Sequence, residues 1–306
     1  MKLYKTLPLL TLLLIPACGS SSKMTVAAPQ GAPAVSLYDR LFDKETEINT
    51  ADNVQGWLTS GTYDAVIAPT NAGANLIKAG KAPYLLAATV TFGNFFIAAT
   101  GNDDNGVMDK TDYVVGFQKD GIPDKLFQYV YGTDYNVNYV ADNAAAVRAL
   151  VSGKNEADNN ANVDYVLIAQ PGMFGALKQN EKASKYADLQ TLYKEKTGDK
   201  IITQASIFVK KDLSSSKVNS FLDEIETSVT ALLNNQSVLD EKLGNVDSTM
   251  LASKLGVQQL AVLKAVLKDN SLGIGFKKAY SIKASIDEFL VNLNLGTETS
   301  EEIYFK

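Results

Sequence analysis

The chain has 306 residues, 29 Lys and Arg against 34 Asp and Glu, a formal net charge of −5, one cysteine and no histidine. An acidic chain whose arginines are Arg40 and Arg148 alone lacks the basic footprint that nucleic-acid binding requires. Without histidine, and with Cys18 the lone thiol, Ser-His-Asp and Cys-His nucleophile systems, imidazole metal sites and intrachain disulfides are excluded.

Taken from the N-terminus, Lys2 and Lys5 precede an apolar run over residues 9–15, broken only by Thr11 and far too short to span a bilayer. A basic start, a short apolar segment and small residues after it describe a secretory signal peptide over residues 1–17. Ile15-Pro16-Ala17-Cys18 resembles the bacterial lipobox, whose cysteine is acylated and becomes the mature N-terminus, although Pro16 departs from the usual small residue. On that reading Cys18 is the lipidation site and residues 18–23 are a lipidated linker. The protein is then extracytoplasmic, and only its lipid anchor touches the cell membrane.

Residues 24–28 predict a buried strand, and a helix over residues 34–42 follows Gln30-Gly31-Ala32-Pro33. A second strand falls at 47–50, and Asp52 is the candidate N-cap of a helix over 54–59 closed by Ser60-Gly61. Residues 63–68 predict a strand ending at Pro69-Thr70-Asn71, then a helix through Leu76-Ile77 that stops at Gly80. Strand, helix and strand in this order argue for parallel βαβ units.

The same order returns mid-chain: a strand at 112–117, Gln118 and Gly121-Ile122-Pro123, a helix at 124–130 and a strand at 136–140. Asp142 then caps a helix over 144–151 closed by Ser152-Gly153, and a strand at 163–169 ends in Gln170-Pro171-Gly172. Leu58-Thr59-Ser60-Gly61 answers Leu150-Val151-Ser152-Gly153, and Asp64 through Pro69 answers Asp164 through Pro171. These landmarks predict an internal duplication, the second copy carrying a polar insert at 154–161.

Residues 84–99 are apolar and β-rich, interrupted at Gly93-Asn94, and residues 201–209 form another extended stretch around Gln204. Read as two crossings between lobes, they divide the chain into lobe one (24–93 plus 208–306) and lobe two (94–207). The tail predicts helices at 217–233, 247–255, 257–267 and 284–293, with Leu260, Leu263, Leu267 and Leu290 as a core stripe on lobe one.

Open α/β sheets hold ligands beyond the carboxyl ends of their parallel strands. Gln30, Gly31, Ala32 and Pro33 occupy such a loop in the first copy, and Gln118, Gly121 and Ile122 in the second. In both, glycine and then proline precede a helix: proline loses no hydrogen bond in the first turn, and glycine lets backbone approach a ligand. The free N–H groups there, with the helix dipole, favour an anion or a strong acceptor. Thr70 and Asn71, and Gln170, Pro171 and Met173, stand after the third strand of each copy. Thr91, Phe92 and Asn94 are expected on the cleft floor at the first crossing, with Phe92 placed to stack on a flat ligand. Trp57 reads as a packing residue. No catalytic group, metal or cofactor is expected.

The lipobox, residues 26–34 (VAAPQGAPA), Ile67-Ala68-Pro69-Thr70-Asn71, residues 188–198 (DLQTLYKEKTG) and residues 204–209 (QASIFV) together resemble ABC-transporter substrate-binding lipoproteins. The branch is the one that includes sulfonate, taurine, nitrate and thiamine-precursor binders. The resemblance implies an α/β, two-lobed type II periplasmic-binding-protein fold, each lobe a mostly parallel sheet flanked by helices, joined by a two-strand hinge. It further implies a monomer that captures a small organic solute and delivers it to an ABC permease and its ATPase. Ligand contacts carried over by position fall on Gly31 and Ala32, Thr70 and Asn71, and Gln170 and Pro171. The arginine that often pairs the anion in sulfonate and nitrate binders is not found, which leaves weakly charged or heterocyclic solutes open. A surface sensor or adhesin on the same fold, or an enzyme, are the competing readings. The related thiamine-precursor enzyme depends on histidine, and Asp64 and Asp164 sit at strand starts away from the presumed cleft.

Overall fold

A computed structural model describes residues 23–103 and 105–306; the expected signal peptide and the Cys18 lipidation site lie outside the described residues. The first half runs β1 (Val26–Pro29), α1 (Ala32–Val35), β2 (Thr46–Asn49), α2 (Val54–Ser60), β3 (Ala65–Pro69), α3 (Thr70–Lys78) and β4 (Tyr84–Thr91). The chain then passes through β5 (Phe95–Ala99), β6 (Val114–Phe117), α4 (Ile122–Tyr131), β7 (Val137–Val140) and α5 (Asn143–Ser152). A small hairpin, β8 (Lys154–Asn155) and β9 (Ala161–Asn162), precedes β10 (Tyr165–Ala169), α6 (Gly172–Gln179), β11 (Ser184–Asp188) and α7 (Leu189–Thr197). After β12 (Ala205–Lys210) come α8 (Ser215–Asn234), α9 (Val238–Leu243), α10 (Ser248–Leu255), α11 (Leu260–Lys268), β13 (Ile274–Lys278) and α12 (Lys283–Asn292).

Two sheets organise these elements, in the orders β13-β4-β12-β3-β1-β2 and β11-β5-β10-β6-β7. In the first, β1 lies parallel to β2 and β3, while β12 runs antiparallel between β3 and β4. In the second, β6 lies parallel to β7 and β10, while β5 runs antiparallel between β10 and β11. The two plans coincide, and each antiparallel strand follows directly on the other lobe's fourth strand or its helix. This exchange is a hinge of two connections, one at residues 92–94 and one before Ala205. The boundary expected at 207/208 therefore falls inside β12, which belongs whole to the first sheet.

The duplication extends to atomic detail. Asp64 accepts a hydrogen bond from the N–H of Thr25, one residue before β1, and Asp164 accepts one from Tyr113, one residue before β6. Both carboxylates thus tie together strand starts, at the end of the sheet opposite the cleft. α2 and α5 both end on a left-handed glycine, Gly61 (φ 64°) and Gly153 (φ 67°). Asp142 caps α5 through the N–H of Ala145, whereas α2 is preceded by a 3₁₀ turn at Ala51–Asn53 with no side-chain cap from Asp52.

Side chains of the first sheet part to two faces with the two-residue period of a strand. Ala27, Val66, Ala68 and Phe208 join α2, α3 and α12, while Val26, Ala28, Ile67 and Ile207 join α8 through α11. Close approach on the first face depends on Gly73 of α3, where a Cβ would stand 2.1 Å from Phe208 Cζ. Leu263, Leu267 and Leu290 are buried as expected, and Leu260 packs at the margin. Trp57 is buried edge-on to Tyr63. α12 does not stay on lobe one. Ser285 Oγ accepts from the N–H of Ile201, and Lys125 of α4 reaches the carbonyl of Asn294 just past α12.

Some elements differ from expectation. The helix expected over 34–42 stops at Val35 and resumes as a 3₁₀ turn at Tyr38–Arg40, because Leu37 leaves helical geometry (φ −106°, ψ 17°). The insert forms the hairpin β8–β9, pinned by Asn155, whose amide donates to the Tyr113 hydroxyl. β11 and β13 were not foreseen.

Candidate functional site

The first connection is built from close backbone packing. Phe92 donates its N–H to the carbonyl of Gly273 (2.7 Å), and Gly93 (φ 95°) and Gly273 (φ 67°) lie back to back. A Cβ on Gly273 would sit 1.9 Å from the carbonyl oxygen of Gly93, so only glycine fits. On the lobe-two side Gln190 grips Phe95 from both directions, accepting from its N–H (3.0 Å) and donating to its carbonyl (2.9 Å). Asn94 and Gln170 are likewise paired twice: the Gln170 N–H donates to Asn94 O (2.9 Å), and Asn94 Nδ2 donates to Gln170 O (2.8 Å).

The return connection lies alongside. Gln204 donates its N–H to Thr91 O (2.9 Å), and Thr70 donates its N–H to Gln204 O (3.0 Å). Thr91, Gln204 and Thr70 therefore form a row at the carboxyl ends of β4 and β3. Asn71 follows in the first turn of α3, and Asn94 and Gln170 stand opposite at the edge of the second sheet. Two cavities open here. One of about 290 Å³ lies between the lobes and is lined by Phe92, Gly93, Lys185, Asp188, Gln190 and the loop through Asp269–Gly273. The other, of about 470 Å³, lies on lobe one against Asp52, Gln55, Pro69, Ala72 and Leu76.

The expected site residues divide into three groups. Asn71, Thr91, Phe92, Asn94 and Gln170 come together at the connections; Phe92 is partly exposed and packs on Gly275. Pro171, half-buried, follows a cis Gln170–Pro171 bond at the start of α6. Gln30, Gly31, Ala32 and Pro33 sit at the end of β1, and Gln118, Gly121 and Ile122 at the end of β6, all exposed or half-buried. Thr70 and Met173 point elsewhere. The Thr70 hydroxyl is fully buried in a chain with Ser206 (2.7 Å), which also meets Thr89 (2.9 Å), and Met173 is part of the lobe-two core at 3% exposure.

The expected anion clamp of two facing helix starts does not form. α1 has four residues, and the Gly31 N–H already donates to Lys254 O (3.1 Å). At α4, buried Asp124 occupies the first turn, accepting from Asp120 N, Gln128 Nε2 and the Tyr139 hydroxyl. Burial, reinforced by Asp124, pushes the Tyr139 phenol well above its ordinary range. Asp142 and Asp188 cap α5 and α7 in the same lobe, and Gln170 Oε1 takes the Phe174 N–H at the start of α6. α3 starts with neither a side-chain cap nor an acidic residue in its first turn, its first N–H going to Gln204 O (3.0 Å).

Instead the site holds unpaired acceptors. Among the described residues, buried side-chain atoms without a hydrogen-bond partner include Asn71 Oδ1, Thr91 Oγ1, Asn94 Oδ1, Thr203 Oγ1 and Gln204 Oε1, all at the lobe connections or the start of α3. Buried polar atoms are paired as a rule, so five of them gathered here, against Arg40 Nε, Thr46 Oγ1 and Tyr193 Oη elsewhere, make the connections the candidate site. Thr203, Gln204, Gln190 and Ser271 were missed as site residues, because their placement depends on pairing between distant segments. No group of three or more His, Cys, Asp or Glu side chains among the described residues is arranged to hold a metal.

No protein-family model matches the chain, and no curated protein matches it. Solved structures do. An ABC transporter protein from Parabacteroides distasonis superposes with a TM-score of 0.70 at 16% identity, covering 93% of this chain and 99% of that one. The periplasmic aliphatic sulphonate binding protein of Escherichia coli gives 0.63 at 16% identity, covering 94% and 92%. The alkanesulfonate-binding protein of Xanthomonas axonopodis pv. citri, bound to MOPS, gives 0.57 at 15% identity, covering 93% and 99%. The chain therefore has the two-lobed α/β fold of ABC-transporter periplasmic binding proteins.

Proposed function

We propose that this protein is the extracytoplasmic solute-binding component of an ABC importer, capturing a small organic molecule between its lobes and delivering it to a permease and its ATPase. The observation that carries this reading is the cluster of unpaired buried polar atoms at the two lobe connections. It lies at the carboxyl ends of β3 and β4, adjoining Phe92 and Gly93 of the interlobe cavity, where sheets of this kind hold ligands. Proteins with the same fold include sulphonate-binding and ABC-transporter proteins, which supports the class of activity and not the solute. Capture needs no bond-making step: a solute that touches both lobes favours the closed arrangement by its differential affinity. The ligand contacts proposed are Asn71, Thr91, Phe92 and Asn94, with Gln170 as their backbone support and the loops at Gly31 and Gly121 as the outer walls.

Cys18 is proposed as a lipid anchor that keeps the protein at the membrane. Changing Cys18 to Ser should release it into the soluble extracytoplasmic fraction, and retention in the membrane would overturn the anchor. For capture itself, a thermal-shift screen over a broad solute library should find a compound that raises the melting temperature by mass action. Absence of any shift with folded protein would remove the solute-binding reading.

A further inference from the structure

We infer that the solute presents N–H donors to the lobe connections and is neutral or cationic at that end, rather than an oxyanion; this rests on the solute-binding reading above. The unpaired groups set the chemistry. Asn94, 7% exposed, donates its Nδ2 to Gln170 O, and turning the amide over would place Oδ1 against that carbonyl. Its unpaired atom is therefore an acceptor by necessity. Gln204 Oε1 and Asn71 Oδ1 are unpaired acceptors in the same row, and Thr91 Oγ1, 1% exposed, accepts as well as donates. An oxyanion brings only acceptors: it could take the Thr91 hydroxyl proton but would leave the three amide oxygens unanswered.

The groups that would hold an oxyanion are committed elsewhere. Arg40 is buried against Met24 O and Glu224, and Arg148 lies beside Glu156 on lobe two. In lobe two, Asp124 puts a carboxylate in the first turn of α4, and Asp142 and Asp188 cap α5 and α7. Asp188 and Asp269 line the interlobe cavity with Lys185. Past Thr70, whose N–H goes to Gln204 O, the start of α3 has no side-chain cap and can receive a ring nitrogen or carbonyl of the same solute, so amides, amidines and amino-substituted heterocycles match the donor and acceptor pattern together.

Two panels matched in size test this by calorimetry and thermal shift on the purified protein. One contains N–H donors without anionic groups (benzamidine, benzamide, cytosine, agmatine); the other contains oxyanions without N–H groups (benzenesulfonate, benzoate, methanesulfonate, nitrate). The inference expects binding within the first panel only. It expects at least a tenfold loss of affinity for the responding probe in Gln204→Leu, but retained or tighter binding of a cationic probe in the near-isosteric Gln204→Glu. Binding confined to the oxyanions, or equal across both panels, overturns the solute class while leaving capture standing. Silence in both panels from folded protein overturns capture and this inference with it. Should Gln204→Leu fail to fold, Gln204→Glu alone decides, since its carboxylate must weaken an oxyanion and spare a cation.

Discussion

Two glycines with nearly the same backbone angle make the packing at the hinge measurable. Gly273 (φ 67°) and Gly80 (φ 68°) both sit in the left-handed region, where a side chain costs about 1–2 kcal/mol. Around Gly80 nothing lies within 4 Å of a would-be Cβ, whereas at Gly273 the Gly93 carbonyl oxygen is 1.9 Å away. Gly80→Ala should therefore carry the conformational cost alone. Gly273→Ala must also push the two backbones apart, breaking the Phe92–Gly273 hydrogen bond, for about 0.5–1.5 kcal/mol, and straining packing by about 1–3 kcal/mol. The expected losses are about 1–2 kcal/mol for Gly80→Ala and about 2.5–6.5 kcal/mol for Gly273→Ala. Urea unfolding followed by tryptophan fluorescence, with m-values compared to hold the unfolded reference constant, gives both numbers. Equal losses in the two variants would refute the close contact between the glycines and, with it, the tight packing of the first connection.

Ser206→Ala should cost about 1–3 kcal/mol, because it strips partners from the buried Thr70 and Thr89 hydroxyls; a loss below 0.5 kcal/mol would show that they re-pair. Gln170→Ala should lower stability more than affinity, since its side chain already serves Phe174 N and Ser271 Oγ; an affinity loss without a stability loss in urea would reverse that assignment. Thr91→Val removes an unpaired hydroxyl without changing shape, and should stabilise the solute-free chain slightly while weakening solute binding by about tenfold. Stability should also fall in alkali. Burial, aided by Glu47, raises the Tyr63 phenol to about 12, and burial raises Tyr84, Tyr165 and Tyr304 as well. The folded state then holds protons that the unfolded chain releases, so stability is intact below pH 10 and declines from about pH 10 upward. A urea midpoint unchanged between pH 8 and pH 11.5 would contradict this.

The duplicated plan was legible because its punctuation is local. Glycine, proline and aspartate mark turns and caps by their own chemistry, so Gly61 and Gly153, or Asp64 and Asp164, declare their positions without knowledge of the fold. Edge strands were not legible. β11 is Ser-Lys-Tyr-Ala-Asp, largely exposed, and β13 carries Gly275 and two lysines, so neither has the alternation of a half-buried strand. The short α1 was hidden for another reason: Leu37 ends the helix in a stretch whose apolar spacing alone continues it. At the site, residue types pointed to Asn71, Thr91 and Asn94, yet only pairing across 113 positions, from Gln204 N to Thr91 O, shows that Gln204 joins them. Type also misled at Thr70, whose hydroxyl is spent inside the sheet on Ser206.

The unpaired acceptors link stability to function in one direction. Each costs the solute-free protein about 1–3 kcal/mol relative to a satisfied group, and close local packing at the connections keeps these residues from shifting to pair them. Gly93 against Gly273, Gln190 on Phe95 and Asn94 on Gln170 hold the backbone so that Asn94 Oδ1 and Gln204 Oε1 stay unanswered. A solute present at a hundredfold its Kd stabilises the folded chain by about 2.7 kcal/mol, comparable with satisfying one or two such acceptors. The opposite signs expected for Thr91→Val follow from this: a hydroxyl that weakens the empty protein and strengthens the complex belongs to the site. If Thr91→Val instead destabilised the empty chain, the hydroxyl would be part of the scaffold, and the case for a binding site at the connections would rest on the amides alone.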